Sequence, residues 1–339
     1  MRRPSSSGFF ALAALAASLL LGASPVSMAA SFDCAKAATL VEKTLCDNAA
    51  LGRLDESVAQ TYQQLLVSVG SPWDERVKTS QREWLKVRND DVSTSAPGKE
   101  MVEALKASLK ARLASLNQAV STHNELRFLS IDRVALHKLD RTDIPPDSSH
   151  AKQRYVRQSR SPVYLLSDVP GAKAFNARMD QEFALPREAA GGSSEETGSV
   201  ARIYFASPQL LSITLGSEYF GIGAAHPMSA LSQFNYLLAE GRTLTAKDLF
   251  ATRDYSDILT RHVTQHFRKM ALEPLATPAE VRALLLDPQN WALNARGLEI
   301  LIPPDGIFSH AAGSPQIPVL PWKTFSGQLT PLATKLFGQ

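Results

Sequence analysis

The sequence predicts an α+β protein in which a small all-helical N-terminal domain is followed by a domain of mixed strands and helices. Apolar residues recur at helical spacing from residue 34 to about residue 118. Beyond that point the pattern changes to short alternating segments, which are typical of strands, and helix-capping residues return near the C-terminal end. The predicted units are a signal peptide at 1–30, a helical domain at 31–120, a strand–helix unit at 121–200 and an α+β domain at 201–339.

Three runs of apolar residues define the helical domain. They are Leu51, Leu54, Val58, Tyr62 and Leu65; Val77, Trp84 and Leu85; and Leu105, Leu109, Leu113 and Leu116. Gln81, Trp84, Leu85 and Arg88 share one helix face, because their spacing is i, i+3, i+4 and i+7. We predict that Trp84 and Leu85 pack against the first run, and that Gln81 and Arg88 satisfy loop carbonyls near Cys34. Direct contact of this face with a partner is the alternative.

The rest of the chain alternates between predicted strands and helices. Strands are predicted at 126–139, 162–166, 203–205, 211–220, 230–238, 291–293 and 298–302, and helices at 171–183, 254–270 and 277–286. Asp254 and Thr277 are the predicted N-caps of the last two helices, and Pro278 suits the first helical position.

The first thirty residues have the features of a secretory signal peptide. Arg2 and Arg3 are basic, residues 9–23 are almost entirely apolar, and small residues follow at Ser27 and Ala29. The apolar run of about fifteen residues is shorter than the roughly twenty that cross a bilayer. We therefore predict cleavage near residues 29–31 and a periplasmic or secreted mature chain without a transmembrane segment.

The charge balance argues against nucleic acid as a partner. The chain has 36 Lys and Arg against 33 Asp and Glu, a net charge of +3. Removal of Arg2 and Arg3 with the signal peptide would leave a nearly neutral protein, and no run of basic residues offers a phosphate-binding patch. A strongly basic protein partner would have to be attracted by local acidic patches.

Cys34 and Cys46 are the only cysteines. In an oxidising compartment we predict that they form a disulfide across a loop of about a dozen residues. Two free thiols are the alternative. Two cysteines without a neighbouring histidine are too few for a metal site, so neither a metal nor a cofactor is predicted.

The segment around these cysteines resembles the LprI-type lysozyme-inhibitor family. The resemblance rests on residues 31–36, 41–47, Leu51, Leu54, Asp55 and Tyr62, and on the run from Gln81 through Arg82, Trp84 and Arg88 to Asn89. It implies a lysozyme partner. Family members commonly carry another cysteine soon after the position of Asn89 and a fourth further on, whereas this chain has Asp90 and Asp91 there and no cysteine at 92–120.

A second resemblance covers about 207–325. Gly223-Ala-Ala-His226-Pro227, followed by the segment from Gly241 to Phe250, is similar to the RsiV C-terminal domain family, with Ala224 where most members have a second glycine. The best-understood members of that family lie outside the cytoplasmic membrane and bind lysozyme. The resemblance therefore implies binding to the same partner as the first.

The residues favour binding over catalysis. His262 and His266 have the spacing of two zinc ligands, but Val263 occupies the place of the general-base Glu of a zincin. The sequence contains neither a Gly-x-Ser-x-Gly elbow nor a Gly-rich phosphate loop. We predict no catalytic residues.

Three loops are candidate partner contacts. They contain Ser193, Ser194 and Glu195; His226 and Pro227; and Ser309 and His310. For the first loop the alternative is a flexible, solvated segment. For His226 we predict a tight turn that holds the ring by backbone hydrogen bonds, with a surface contact as the alternative.

The sequence thus predicts an exported protein that is not an enzyme and that binds and inhibits lysozyme-type muramidases. The alternative is a cell-envelope module that recognises peptidoglycan glycan without inhibiting anything. In the helical domain, the face of Gln81, Arg82, Trp84 and Arg88 is assigned either to structure or to the partner. The oligomeric state is not predicted.

Overall fold

The structure is a computed structural model that describes residues 30–93, 96–142, 144, 150, 153–187, 191–304, 306–309 and 315–338. His310 and the predicted signal peptide, except Ala30, lie outside the described residues. No helix of the described ranges is both long and apolar enough to cross a membrane.

The N-terminal region is helical, as predicted. A 3-10 turn at Cys34–Lys36 precedes α1 (Leu40–Asp47), α2 (Ala49–Val69), α3 (Asp74–Ser93) and α4 (Lys99–Asn117). Thr39 and Glu42 form a capping box at the start of α1. The side chain of Asn48 caps α2 by accepting hydrogen bonds from two backbone amides.

The remainder of the chain is a mixed α+β arrangement. Its strands are β1 (Val120–His123), β2 (Leu126–Ser130), β3 (Arg133–Lys138), β4 (Tyr155–Ser161), β5 (Val163–Leu165), β6 (Glu195–Ala206), β7 (Leu210–Gly221), β8 (Met228–Leu237), β9 (Arg242–Thr243), β10 (Trp291–Asn294), β11 (Gly297–Ile300) and β12 (Leu320–Pro321). Its helices are α5 (Ala172–Glu182), α6 (Ala246–Leu249), α7 (Tyr255–Lys269), α8 (Pro278–Leu286) and α9 (Pro331–Phe337).

These strands form one large and two small sheets. The large sheet has the order β3-β4-β6-β7-β8-β9, and all of its pairs are antiparallel except β4 with β6. The small sheets have the orders β1-β2-β5 and β10-β11-β12. The predicted strand at 126–139 is therefore two strands, β2 and β3, which belong to different sheets.

Several local predictions are corrected by the structure. Strands β1 and β4 were not predicted, because neither has a clear apolar alternation. Asp254 stands at the N-cap of α7, as predicted, but its side chain bonds no helix amide. Thr277 caps α8, as predicted, and also forms a capping box with Glu280, which was not predicted. The first candidate loop is partly strand, because β6 begins at Glu195.

The large sheet lies between two hydrophobic cores. The first core joins the helical region, the β1-β2-β5 sheet, α5 and one face of the large sheet, and it includes Leu105, Leu109, Phe128, Phe175 and Ile213. The second core covers the other face and includes Leu259, Trp291, Leu298, Trp322 and Phe325. Strand β6 runs unbroken across residues 200 and 201, where the sequence placed a domain boundary.

An arginine clamp fastens the helical region to the strands. Arg76 of α3 donates two hydrogen bonds to the carboxylate of Asp180 in α5, at 2.6 and 2.7 Å. Its guanidinium carbon lies 4.4 Å from the ring centre of Tyr164 in β5, whose hydroxyl donates to the same Asp180 at 2.9 Å. Burial among these groups raises the pKa of the Tyr164 hydroxyl.

Gly171 gives a test of the packing between α5 and the large sheet. It has a positive φ of 82°, and a Cβ there would lie 1.7 Å from the backbone oxygen of Leu238. We expect Gly171→Ala to lower the free energy of unfolding by about 3 kcal/mol, since backbone strain and overpacking add. Gly327→Ala is the matched control, because Gly327 has a φ of 78° and no heavy atom within 4 Å of such a Cβ.

The control variant should lose only about 1 kcal/mol, the cost of the left-handed backbone alone. Chemical denaturation of both variants measures the difference. Equal losses would show that the close approach to Leu238 does not constrain the fold.

Candidate functional site

The helical region is closed by the predicted disulfide. Cys34 and Cys46 are bonded to each other, and their Cα atoms are 5.8 Å apart. The bond joins the 3-10 turn to the last turn of α1. It leaves no free cysteine among the described residues, so neither sulfur is available as a nucleophile or a metal ligand.

A buried ion pair joins α2 to α3. Arg88 of α3 donates to the carboxylate of Asp55 in α2 at 3.4 Å, and both side chains are only 7% exposed. Asp55 also accepts hydrogen bonds from the backbone N and the hydroxyl of Ser31, at 3.0 and 2.5 Å. Arg88 also donates two hydrogen bonds to the side-chain oxygen of Asn89, at 3.1 and 3.0 Å. The prediction that Arg88 serves loop carbonyls is therefore wrong, because its donors bond side-chain oxygens of α2 and α3 instead.

Trp84 lies between two arginines. The guanidinium carbons of Arg88 and Arg112 are 5.0 and 5.6 Å from the centre of its ring. Arg112, on α4, is 4% exposed, and it donates to Gln81 at 2.9 Å and to Ser80 at 3.2 Å. Gln81 thus accepts from an arginine and does not serve a loop carbonyl, which corrects the second part of the prediction. Burial lowers the pKa of Arg112 to about 10.

This network turns most of the candidate face inward. Trp84 is half-buried and packs against the first core, and Arg88 is buried. Arg82 is exposed and donates a hydrogen bond to Thr79 at 2.9 Å. Of the four candidate residues, Arg82 is the one whose side chain reaches solvent freely, so the contacts of the other three support the structural assignment.

Sequence reasoning missed Ser31, Ser80 and Arg112 in this network. A signal for Arg112 exists in the sequence. It lies three residues after Leu109 and four before Leu116, and therefore occupies the apolar stripe of α4. A charged residue in such a stripe indicates a buried partner.

Two of the three candidate loops meet at one end of the large sheet. The amide of Ile222 donates to the backbone oxygen of Ser194 at 2.8 Å. Ser193 is held by backbone hydrogen bonds to Lys138 and Asp140, and Glu195 accepts a hydrogen bond from the Tyr219 hydroxyl at 2.8 Å. The first loop is therefore tied to the sheet at both ends.

The His226 loop is the turn between β7 and β8. Residues 223–227 are all exposed, and Nδ1 of His226 lies 3.0 Å from the backbone oxygen of Pro227. In the third loop Ser309 is exposed, while its neighbour Phe308 packs edge-on against Phe267 of α7. His310, the remaining candidate of that loop, lies outside the described residues.

The second part of the RsiV-like motif has a structural role. Arg242 donates two hydrogen bonds to the carboxylate of Asp248, at 2.8 and 2.7 Å. Asp248 also completes the capping box of α6 with Thr245. The hydrogen bonds from Arg242 and then those from Thr245 lower the pKa of Asp248 to about 2.

His262 of α7 contacts the protein backbone. Its Nε2 lies 3.0 Å from the backbone oxygen of Pro318, and Val263, which follows it in the sequence, is fully buried. Across the described ranges, no three His, Cys, Asp or Glu side chains converge in a way that would hold a metal ion.

The disulfide has a measurable role in stability. We expect Cys34→Ser with Cys46→Ser to lower the free energy of unfolding by about 2 to 3 kcal/mol, because the unfolded chain regains the entropy of an open loop. Denaturation of the wild type in a reducing agent is the control, and it should give the same loss. A double variant as stable as the oxidised wild type would contradict this role.

Trp84→Ala should lower the free energy of unfolding by roughly 3 to 5 kcal/mol, because it removes a large packed side chain and the ring between two guanidinium groups. Arg82→Ala, two residues away on the exposed side of α3, should change it by no more than about 0.5 kcal/mol. Thermal and chemical denaturation measure both variants. A Trp84 variant of wild-type stability would indicate that the ring serves a partner instead.

Comparison with known proteins adds two family matches. Residues 34–126 match the family model "Lysozyme inhibitor LprI", and residues 247–323 match "Protein of unknown function (DUF3298)". The first agrees with the resemblance predicted from the sequence. The second lies within the predicted RsiV-like segment, but it names a family of unknown function, so the RsiV assignment is not confirmed. No curated protein matches.

Two solved structures are similar to parts of the chain. A DUF3298-family protein of Bacteroides fragilis NCTC 9343 has 14% identity and a TM-score of 0.46, and the match covers 65% of this chain and 100% of that one. A DUF3298-family protein of Pseudomonas aeruginosa PAO1 has 15% identity and a TM-score of 0.41, with 61% and 96% covered. Residues 34–126 are thus similar to LprI lysozyme inhibitors, and residues 247–323 to a family without a known function.

Proposed function

We propose that this protein is exported and that it binds and inhibits lysozyme-type muramidases. The observation that carries the proposal is the match of residues 34–126 to LprI lysozyme inhibitors. The structure of this segment supports it, since the disulfide, the Asp55–Arg88 pair and the Trp84 stack give a closed helical unit. These features let the segment present a fixed surface to a partner.

Export is supported from two sides. Disulfides persist in oxidising compartments, and the first thirty residues have the pattern of a signal peptide. The first described residues are also packed in the fold: Ala30 is 1% exposed, and Ser31 is bonded to Asp55. Cleavage after Ala29 would keep both of these features, whereas cleavage after Ala30 would keep only the contact of Ser31 with Asp55.

Inhibition is tested by the lysis of purified cell walls. We expect micromolar concentrations of the mature protein to reduce the rate of lysis by a c-type lysozyme to less than half, and titration calorimetry to give a saturable heat. The heat-denatured protein is the control for non-specific effects. Undiminished lysis together with no heat of binding would overturn the proposal.

A peptidoglycan-binding role is the second candidate. It is favoured by a cavity of about 420 Å³ on the large sheet, whose lining includes five serines (Ser159, Ser161, Ser199, Ser217 and Ser229) together with Arg202 and Glu218. Such polar side chains suit the hydroxyl and amide groups of a glycan. If the protein sediments with insoluble peptidoglycan and gives no heat with lysozyme, this function replaces inhibition.

A further inference from the structure

One end of the large sheet extends beyond both hydrophobic cores. In β7, Leu210–Ile213 are buried while Ser217–Tyr219 are exposed, and β8 shows the reverse order from exposed Met228 to buried Phe234. We define the sheet end as four stretches of chain. They are residues 194–200, which include the start of β6, residues 216–221 of β7, the loop 222–227, and residues 228–233 of β8. Its tip is open to solvent.

The sheet end carries an exposed apolar pair. Tyr219 and Met228 are 40% and 60% exposed, and they lie directly opposite each other on β7 and β8, on the same face. The hydrogen bond from the Tyr219 hydroxyl to Glu195 fixes the ring at the surface. Aromatic residues and methionine are enriched in protein interfaces, so the pair indicates a docking surface.

Among the described residues, the first half of β8 has no strand paired to its outer edge. Residues 228–233 pair with β7 on one side, whereas β9 joins the other side only at Tyr236 and Leu237. Natural edge strands are protected by charges, prolines or bulges. Residues 228–233 contain no charged residue and no proline, and their pairing with β7 shows no register shift. The outward backbone groups of this edge can therefore bond a partner.

The charge of the sheet end is negative although that of the chain is +3. Glu195, Glu196 and Glu218 lie there, and residues 194–201 and 214–233 contain no Lys or Arg. Two arginines border the sheet end: Arg160 of β4 donates to the Thr197 hydroxyl at 3.0 Å, and Arg202 of β6 lines a cavity with Glu218. The three carboxylates therefore outnumber the two guanidinium groups by one. The C-terminal end of α3 adds to this charge, since Asp90 and Asp91 line one cavity of about 340 Å³ together with Glu196. Two arginines share that cavity, Arg157 of β4 and Arg154 just before this strand, and Arg157 is paired with Asp91.

We propose that the sheet end is the surface that holds the muramidase, with the loop 222–227 entering its cleft. This inference rests on the proposed function. A basic enzyme complements the acidic residues, and the apolar pair supplies a desolvated centre. The loop is narrow because Gly223 and two alanines precede His226, and Gly223 has a φ of 92° that favours glycine. Its exposed imidazole can face the two carboxylates that such an enzyme holds about 5 Å apart.

The sheet end lies next to the LprI-like segment but outside both matched segments. Asp90 and Asp91 belong to the LprI-like segment, whereas β6, β7 and β8 lie between it and the DUF3298 segment. A partner seated at the sheet end would therefore touch the helical region and the large sheet together. Binding would then depend on their relative position, which the Arg76–Asp180 contact helps to fix.

A pair of double variants tests the surface. Glu218→Lys with Met228→Ser changes the sheet end, and Glu273→Lys with Met270→Ser makes the same two substitutions at the C-terminal end of α7, away from the LprI-like segment. All four residues are exposed, Met228 by 60% and Met270 by 56%, so both variants should fold. We expect the dissociation constant of a c-type lysozyme to rise at least tenfold for the first variant and less than twofold for the second, as measured by titration calorimetry.

The outcomes separate this surface from the proposed function. If both variants bind like the wild type, the surface is wrong while inhibition stands. If the wild type itself does not bind lysozyme, the proposed function fails and the surface with it. Sedimentation velocity tests whether a second copy of the chain occupies the surface instead. If the wild type is a dimer that Met228→Ser dissociates while the affinity for lysozyme is unchanged, the surface belongs to a second copy and the proposal is overturned.

Discussion

The burial of β7 on both faces is the constraint on which the rest of the structure depends. Leu211 and Ile213 enter the first core, while Leu210 enters the second. Between them, the hydroxyl of Ser212 accepts a hydrogen bond from the amide of Leu293 at 3.2 Å, so β10 covers a face that the sequence pattern marks as polar. Because one strand supports two cores, the helical region and the C-terminal helices are parts of a single packed unit.

The helical region and most strands were predictable because their apolar spacing is regular. What the sequence could not reveal are contacts between distant segments. The alternation from Leu211 to Gly216 predicts one buried face, but Ser212 is also buried, because its polar atom finds a backbone partner eighty-one residues away. The hydrogen-bond partners of Arg88 and Gln81 were mispredicted for the same reason: helix packing brings Asp55 to Arg88 as an acceptor and Arg112 to Gln81 as a donor.

The candidate site was predicted less completely than the fold. Turn-forming residues located the loop at His226, but they did not show that it stands at an uncovered end of the sheet, since exposure depends on where the two cores stop. The sequence pattern also does not show what stands in place of the cysteine that LprI-type proteins commonly carry soon after the position of Asn89. Asp91 stands in the region where LprI members carry one, and it pairs with Arg157 of β4. This ion pair connects the end of α3 to the sheet. Helical periodicity does not reveal it.

The Arg76–Asp180 contact has a consequence for the order in which the chain acquires its structure. Its partners are 104 residues apart, and the first core reaches as far as Leu238. During synthesis the helices emerge long before these partners, so their apolar faces stay uncovered until the strands of the sheet are made. A chaperone that binds the growing chain would meet the helices first in this exposed state.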